Sequence, residues 1–127
     1  MKKLKVLVAG DDLITNNLLL AILESEGHEA TCVMNGIQAL EKLNDDEMNL
    51  IISDGRMPLL DGFGLALRVK KDPKLKSIPF IMYTGTYASA DDEKLARDYG
   101  ITLYLRKAGS IKQISAAIRT LAAEIMT

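Results

Sequence analysis

The sequence predicts an α/β fold, a doubly wound parallel sheet of five strands with helices on both faces. Two observations lead to this prediction. Short apolar runs alternate with helix-like patterns five times along the 127 residues, as is typical of strand–helix units joined by right-handed crossovers. The apolar runs are continuous, which indicates strands that are buried on both faces. With 48% hydrophobic residues, the chain suits one domain over residues 1–127.

The first two units occupy the N-terminal third of the chain. Strands are predicted at residues 6–9 and 30–33. The helix between them should end at Gly27, because glycine is favoured just beyond a helix C-terminus. Asn35 and Gln38 resemble the start of the next helix, since side chains at this spacing satisfy free backbone N–H groups in the first turn. The apolar positions at helical spacing are Ile14, Leu18, Ala21 and Ile22 in the first helix and Ile37, Leu40 and Leu43 in the second.

The third and fourth units follow the same pattern. Strands are predicted at residues 50–53 and 80–83. The helix after the third strand, with Leu65 and Val69 on its apolar face, should end at Asp72, because Pro73 disfavours helical geometry in the residue before it. A helix at residues 91–99 should stop at Gly100.

The last unit is a strand at residues 102–105 followed by a helix. Ser110 and Gln113 form a capping-box pattern at the start of this helix. Its apolar stripe comprises Ile111, Ile114, Ile118, Leu121, Ala122 and Ile125. No glycine or proline ends the stripe, so we expect that this domain could be the N-terminal part of a longer protein.

Charge and cysteine content exclude several classes of function. Sixteen Lys and Arg nearly balance seventeen Asp and Glu, so there is no global basic field to hold nucleic acid by its phosphates. The single cysteine, Cys32, cannot form an internal disulfide, and the sequence contains neither a signal peptide nor an apolar stretch long enough for a membrane span. We therefore expect a cytoplasmic protein, without direct nucleic-acid or membrane binding, whose function lies in a local site.

The strand order expected for this fold, 2-1-3-4-5 as in flavodoxin-like proteins, brings three acids to one crevice. Ligands of such sheets bind at the carboxyl ends of the strands, where the order reverses. Asp11 and Asp12 follow the first strand and Asp54 follows the third. Two carboxylates about 4 Å apart repel by about 4 kcal/mol at an effective dielectric of about 20, so the crevice requires a counter-charge. Oxygen ligands without His or Cys favour a hard cation such as Mg²⁺.

A hydroxyl and an ammonium group reach the same edge of the sheet. Thr84 follows the fourth strand and Lys107 follows the fifth. Each alone is ordinary, and Asp12 could simply cap the first helix. Together, a carboxylate nucleophile, a metal, a cation and a hydroxyl are the parts needed to accept a phosphoryl group and to respond to it.

These residues resemble the receiver domain family of two-component response regulators, to which the chemotaxis response regulator belongs. The resemblance covers the whole chain. Its most specific part is Asp54 followed by Met57-Pro58 and Asp61-Gly62, joined at family-like spacing to Thr84, Tyr104 and Lys107.

The resemblance implies a phosphorelay function. Asp54 would take phosphate from a histidine kinase or phosphotransfer protein, with Mg²⁺ held by Asp54, an acid after the first strand and the carbonyl of Arg56. Lys107 would contact the phosphoryl group, Thr84 would move to bind it, and Tyr104 would change exposure. The resulting two-state surface would act on a downstream protein or on a fused output or kinase domain.

The sequence departs from the family pattern at two positions. Ala108 follows Lys107, whereas family members usually have proline there, often with a cis peptide bond. A cis bond without proline costs about 3 kcal/mol, so we expect a trans or rearranged loop. Family members commonly have two acids directly after the first strand. Counting back from Gly27 by the usual helix length places Gly10 at the first of these positions and Asp11 at the second, which makes Asp11 the favoured metal ligand. A simpler alignment takes Asp11 and Asp12 as the two acids.

Three alternatives remain at this point. An aspartyl-phosphate hydrolase would need an acid two residues after its nucleophile, where Arg56 stands. A flavodoxin-like cofactor binder would want a phosphate loop rich in glycine and hydroxyls, but Asp11 and Asp12 would repel a phosphate unless a metal intervened. A degenerate receiver that binds partners without phosphorylation is favoured by Gly10 and Ala108.

Overall fold

The structure is a computed structural model that describes residues 3–85, 90–107 and 111–126. It has one parallel sheet of five strands in the order β2-β1-β3-β4-β5, so the predicted fold class and strand order are confirmed. The elements are β1 (Lys5–Ala9), α1 (Leu13–Ser25), β2 (Glu29–Val33), α2 (Gly36–Asp45), β3 (Leu50–Ser53), α3 (Gly62–Lys71), β4 (Phe80–Thr84), α4 (Ala90–Asp98), β5 (Leu103–Arg106) and α5 (Ile111–Met126).

The central strand β3 is buried on both faces, as its uninterrupted apolar run predicts. Leu50 and Ile52 pack into one core cluster with residues of α1 and α5. Ile51 points the other way, into a second cluster with residues of α2 and α3. Because side chains alternate along a strand, three consecutive apolar residues supply both layers of the core.

Two glycines end helices as the sequence predicts. Gly27 after α1 and Gly100 after α4 have φ of +85° and +78°, a left-handed conformation that glycine adopts without a Cβ penalty. The N–H of His28, just beyond Gly27, donates to the carbonyl of Leu23 at 2.9 Å. This bond is that of a Schellman motif.

Helix starts also follow the sequence signals. The side chain of Asn35 accepts a hydrogen bond from the N–H of Gln38, which identifies Asn35 as the N-cap of α2. α3 ends at Lys71, with Asp72 as its C-cap before the proline. The capping-box prediction for α5 includes Ser110, which lies outside the described residues.

The face that α1 presents to the sheet differs from the prediction. Ile14 is 82% exposed, whereas Asn16, Leu19 and Leu23 are buried. Residues 18–23 are all apolar, so several faces of this helix could have packed on the sheet. The predicted stripes of α2 and α5 are correct except at their first residues, Ile37 and Ile111, which are 39% and 52% exposed.

None of the helices within the described ranges is long and apolar enough to span a lipid bilayer.

Candidate functional site

The candidate site lies at the carboxyl ends of the strands, where β1 and β3 are neighbours. Ala9 is the register partner of Ser53, and the N–H of Asp54 donates to the carbonyl of Ala9 at 2.8 Å. The strands therefore deliver Gly10 and Asp54 side by side to one edge of the sheet. Asp54 is placed where ligands of open α/β sheets bind.

A cavity of about 620 Å³ opens above this edge. It holds five of the site residues predicted from the sequence together with Arg56. Its lining consists of Asp11, Asp54, Gly55, Arg56, Met57, Pro58, Asp61, Phe63, Thr84, Gly85, Tyr104 and Lys107. Residues from four strand ends thus face one space, although they are far apart in the sequence.

Lys107 pairs directly with Asp54. Its Nζ lies 2.9 Å from Asp54 Oδ2, and the two side chains are only 22% and 14% exposed. The backbone of Lys107 is held as well, because its N–H donates to the carbonyl of Thr84 at 2.6 Å. A charged hydrogen bond in a half-buried setting is stronger than one at the surface. Lys107 is therefore held beside the carboxylate of Asp54. Ala108, which follows it, lies outside the described residues.

The hydroxyl of Thr84 lies close to Gly55, the residue that follows Asp54. A Cβ added to Gly55 would come within 2.9 Å of Thr84 Oγ1, and Thr84 is 9% exposed. Tyr104, on the neighbouring strand β5, is half-buried and lines the same cavity. The two residues predicted to act as switch groups therefore border the space next to Asp54.

Asp12 acts mainly as the N-cap of α1. Its side chain accepts hydrogen bonds from the N–H of Ile14 at 3.1 Å and from the hydroxyl of Thr15 at 2.6 Å. The bond from Thr15, with a smaller contribution from the Ile14 N–H and the charge of Lys107 at 4.0 Å, lowers the pKa of the Asp12 carboxyl below its ordinary value of 3.8. Helix capping was the ordinary alternative for this residue, and the structure bears it out.

The three predicted carboxylates lie near one edge of the sheet: Asp11 and Asp54 line the cavity, and Asp12 Oδ2 and Asp54 Oδ2 lie 4.0 and 2.9 Å from Lys107 Nζ. No group of three or more His, Cys, Asp or Glu side chains in the described part of the chain is arranged to hold a metal ion. The reason is local: Gly10 occupies the strand-end position beside Asp54, and Asp12 is used by the helix cap. Of the three predicted carboxylates, Asp11 and Asp54 line the main cavity, together with Asp61 and Arg56.

Arg56 lines the cavity, and its backbone contacts the side chain of Asp54. Its N–H lies 3.3 Å from Asp54 Oδ1, and its side chain is exposed.

The loop after β3 is held against Asp54 by a close backbone approach. Gly62, the first residue of α3, lies so near the carbonyl oxygen of Asp54 that a Cβ at this position would overlap it. The N–H of Gly62 also donates to the carbonyl of Gly55 at 3.1 Å. Glycine is therefore required here for space, and this explains why it follows the helix-capping Asp61.

Sequence reasoning missed Asn16 as a residue of the site. Asn16 is 3% exposed on the inner face of α1, and its Nδ2 donates to the carbonyl of Gly10 at 2.8 Å. A signal was present, since Asn16 is a polar residue in the same helical stripe as Leu19 and Leu23. Buried polar side chains usually have a defined partner, so a polar residue in such a stripe merits attention.

Comparison with known proteins excludes two of the three alternatives. The sequence matches the response regulator receiver domain over residues 6–119. The chain is a receiver domain. Receivers are signalling modules of two-component phosphorelays and not classical enzymes. The hydrolase and cofactor-binder alternatives are therefore set aside.

Two relatives show how receivers of this sequence type occur. The probable chemotaxis protein CheY of Rhizobium etli is 32% identical over 119 residues, which cover 92% of this receiver and 91% of the relative. The gliding motility regulatory protein of Myxococcus xanthus is 35% identical over 106 residues, which cover 84% of this receiver but 14% of that protein. The receiver thus spans most of one relative and a small part of the other.

A solved structure provides a comparison for the site. The receiver domain of a sensor histidine kinase from Pseudomonas aeruginosa superposes with a TM-score of 0.82 at 25% identity, covering 99% of this receiver and all of that chain. That structure contains a magnesium ion coordinated in its active-site cleft.

Proposed function

We propose that this receiver accepts a phosphoryl group on Asp54 from a phosphohistidine of a partner histidine kinase or phosphotransfer protein, in a Mg²⁺-dependent reaction. The observation that carries the proposal is the position of Asp54 at the carboxyl end of β3, on the main cavity and 2.9 Å from the ammonium group of Lys107. A carboxylate that is oriented by a fixed cation and open to a cavity is prepared for nucleophilic attack.

In the transfer, a carboxylate oxygen of Asp54 forms a bond to phosphorus while the phosphorus–nitrogen bond of the phosphohistidine breaks. The imidazole leaves with the electron pair of that bond and takes up a proton. Lys107 stabilises negative charge on the phosphoryl oxygens, and the N–H of Arg56 holds Asp54 Oδ1. Charge stabilisation and positioning are the main requirements of phosphoryl transfer.

The donor set fits Mg²⁺. The residues proposed to hold the ion are Asp11, Asp54 and the backbone carbonyl of Arg56, all of which border the cavity. These are hard oxygen ligands, and Mg²⁺ commonly uses one or two carboxylates and keeps several waters. When bound, the ion neutralises charge on the phosphoryl oxygens. Asp12 is proposed as a near neighbour, since its carboxylate is already occupied by the cap of α1.

Phosphorylation is proposed to switch a surface of the receiver. A phosphoryl group on Asp54 adds hydrogen-bond acceptors on the cavity that Thr84 and Tyr104 border. Thr84 would bind a phosphoryl oxygen, and Tyr104 would change its exposure as β4 and β5 respond. A change of this kind biases an equilibrium between two surface states.

We further propose that residues 1–127 form the receiver of either a stand-alone regulator or a longer protein, and that it acts on a downstream protein or a fused output domain. The balanced charge of the chain supports signalling through protein contacts rather than direct binding of nucleic acid. A cytoplasmic location is supported by the lack of an internal disulfide, since Cys32 in β2 is the single cysteine of the sequence. Burial raises the pKa of this thiol, so it is less reactive than an exposed one.

The test is labelling with acetyl phosphate followed by intact-protein mass spectrometry. The parent should gain one phosphoryl group in the presence of Mg²⁺ and none in EDTA, and Asp54→Ala should gain none. The matched control is Asp61→Asn, which changes another carboxylate on the same cavity but keeps a side chain that can cap α3.

Equal labelling of Asp54→Ala would contradict the proposal. A fluoride–beryllium adduct, which mimics the acyl phosphate, should also bind at Asp54 and contact Thr84 and Lys107, and a crystal structure with the adduct elsewhere would argue against the site.

A degenerate receiver that works without phosphorylation is the second candidate. The observation that favours it is Gly10, which leaves the edge beside Asp54 without the carboxylate usual for the family. Failure of Asp54 to be labelled, combined with unchanged binding of a partner to Asp54→Ala, would support this candidate.

A further inference from the structure

Gly10 follows β1 and lies beside Asp54. A Cβ built on Gly10 would be 3.6 Å from the Cβ of Asp54, which is ordinary contact. The same Cβ would be 3.0 Å from Asn16 Oδ1, which is tighter than most real contacts. Position 10 is therefore restricted by the amide of Asn16, and not by the acceptor.

Asn16 is held in this place by its own hydrogen bond. Its Nδ2 donates to the carbonyl of Gly10 at 2.8 Å, and its side chain is almost completely buried. The N–H of Gly10 donates to the carbonyl of Val33 at 3.0 Å. The peptide groups around Gly10 are thus fixed from α1 and from β2, immediately before Asp11 enters the cavity.

We propose that Asn16 is a positioning residue of the phosphoacceptor site. Its amide fills the volume beside Asp54 that a side chain at position 10 would occupy, and its bond to Gly10 directs Asp11 into the cavity. The neutral amide of Asn16 thus lies where family members would have an acidic side chain at position 10. This proposal rests on the proposed function, in which Asp11 and Asp54 are the ligands of Mg²⁺.

A consequence is that residues 10 and 16 are alternatives for one space. With Asn16 present, a larger residue at position 10 must displace its amide oxygen. With Asn16 shortened to alanine, the contact at 3.0 Å is removed and the nearest remaining neighbour of a new Cβ is Asp54 at 3.6 Å. An aspartate at position 10 would then add a carboxylate beside Asp54, and more ligand charge strengthens binding of a divalent cation.

The experiment is a double-mutant cycle in which Mg²⁺ binding to the unphosphorylated full chain is measured. Each titration is monitored by tyrosine fluorescence or by calorimetry. Asn16→Ala should weaken Mg²⁺ binding about tenfold, as is typical when a residue that orients a metal ligand is lost. Gly10→Asp alone should also weaken binding. The double variant should bind Mg²⁺ more tightly than the parent, so that the two changes are strongly non-additive.

The matched control is Asn17→Ala, which changes the adjacent asparagine of α1 on its exposed face and should leave Mg²⁺ binding unchanged. Thermal unfolding of each variant separates loss of stability from loss of positioning. If Asn16→Ala does not fold, Asn16→Ser enters the same cycle, because serine also vacates most of the space beside Gly10.

Three results would overturn the proposal: additive effects of the two substitutions, equal Mg²⁺ binding by the Asn16→Ala and Asn17→Ala variants, or no measurable Mg²⁺ binding by the parent. The proposed function has a separate readout. Absence of label on Asp54 with an intact cycle would contradict phosphorylation and leave the role of Asn16 standing, whereas label on Asp54 with an additive cycle would do the reverse.

Discussion

Replacement of Lys107 by methionine tests the ion pair on which the site depends. At 2.9 Å, two unit charges attract by about 6 kcal/mol at an effective dielectric of about 20. Most of this is offset by desolvation of the two groups, and a hydrogen bond between charged groups contributes about 1.5–3 kcal/mol net. We expect Lys107→Met to lower the free energy of unfolding by about 2 kcal/mol, or the Tm by about 7 °C for a chain of this length.

The assay is urea and thermal unfolding of four proteins: the parent, Lys107→Met, Asp54→Ala and the double variant. In the Asp54→Ala background, Lys107→Met should lower the free energy of unfolding only slightly, because no Asp54 carboxylate remains to be left unpaired. Lys112→Met is the control for loss of an exposed lysine. The same loss of Tm in both backgrounds would refute the argument, since the cost would then come from some property of Lys107 other than its pairing with Asp54.

Four further outcomes are expected. Arg56→Asn should lose phosphate from Asp54 faster than the parent, because asparagine has a hydrogen-bond acceptor that can hold an attacking water and arginine has none. Equal rates of phosphate loss would show that Arg56 does not protect the phosphoryl group from water. In Mg²⁺ titrations, Asp11→Asn should weaken binding far more than Asp12→Asn. Equal losses of affinity would favour the alternative in which Asp11 and Asp12 together form the acidic pair. Because the pKa of Asp12 is lowered from 3.8 in the folded protein, its stabilising contribution is complete above that pH and is lost as the pH falls through the lower folded-state value. The stability difference between the parent and Asp12→Ala in urea should therefore shrink only in that acidic range, and a difference independent of pH would contradict this. Gly62→Ala should lower the free energy of unfolding by more than about 2 kcal/mol, because the new Cβ would overlap the carbonyl of Asp54. Gly85→Ala should change it little, because no atom of the described residues lies within 4 Å of a Cβ at that position.

The sequence alone determined the order and type of the elements. A continuous apolar run such as Leu50-Ile51-Ile52 can only be a strand buried on both faces or part of a buried helix. Its short length and the turn residues beside it decide for the strand. Gly27 and Gly100 marked helix ends correctly because the left-handed conformation is a local property of the backbone. The carboxylate of Asp54 could be found in the same way, since it directly follows such a strand.

The tertiary structure decided how closely the groups at that edge approach the carboxylate, and which further residues join them. Residues 18–23 are apolar all round α1, so the sequence did not specify that Asn16, rather than Ile14, faces the sheet. Lys107 lies 53 positions from Asp54, and no local pattern encodes the 2.9 Å between their charged atoms. The role of Asp12 was equally open, because a carboxylate after a strand can serve as a metal ligand or a helix cap. Distances of this kind arise from the packing of helices on a twisted sheet, which brings residues together irrespective of their separation in the chain.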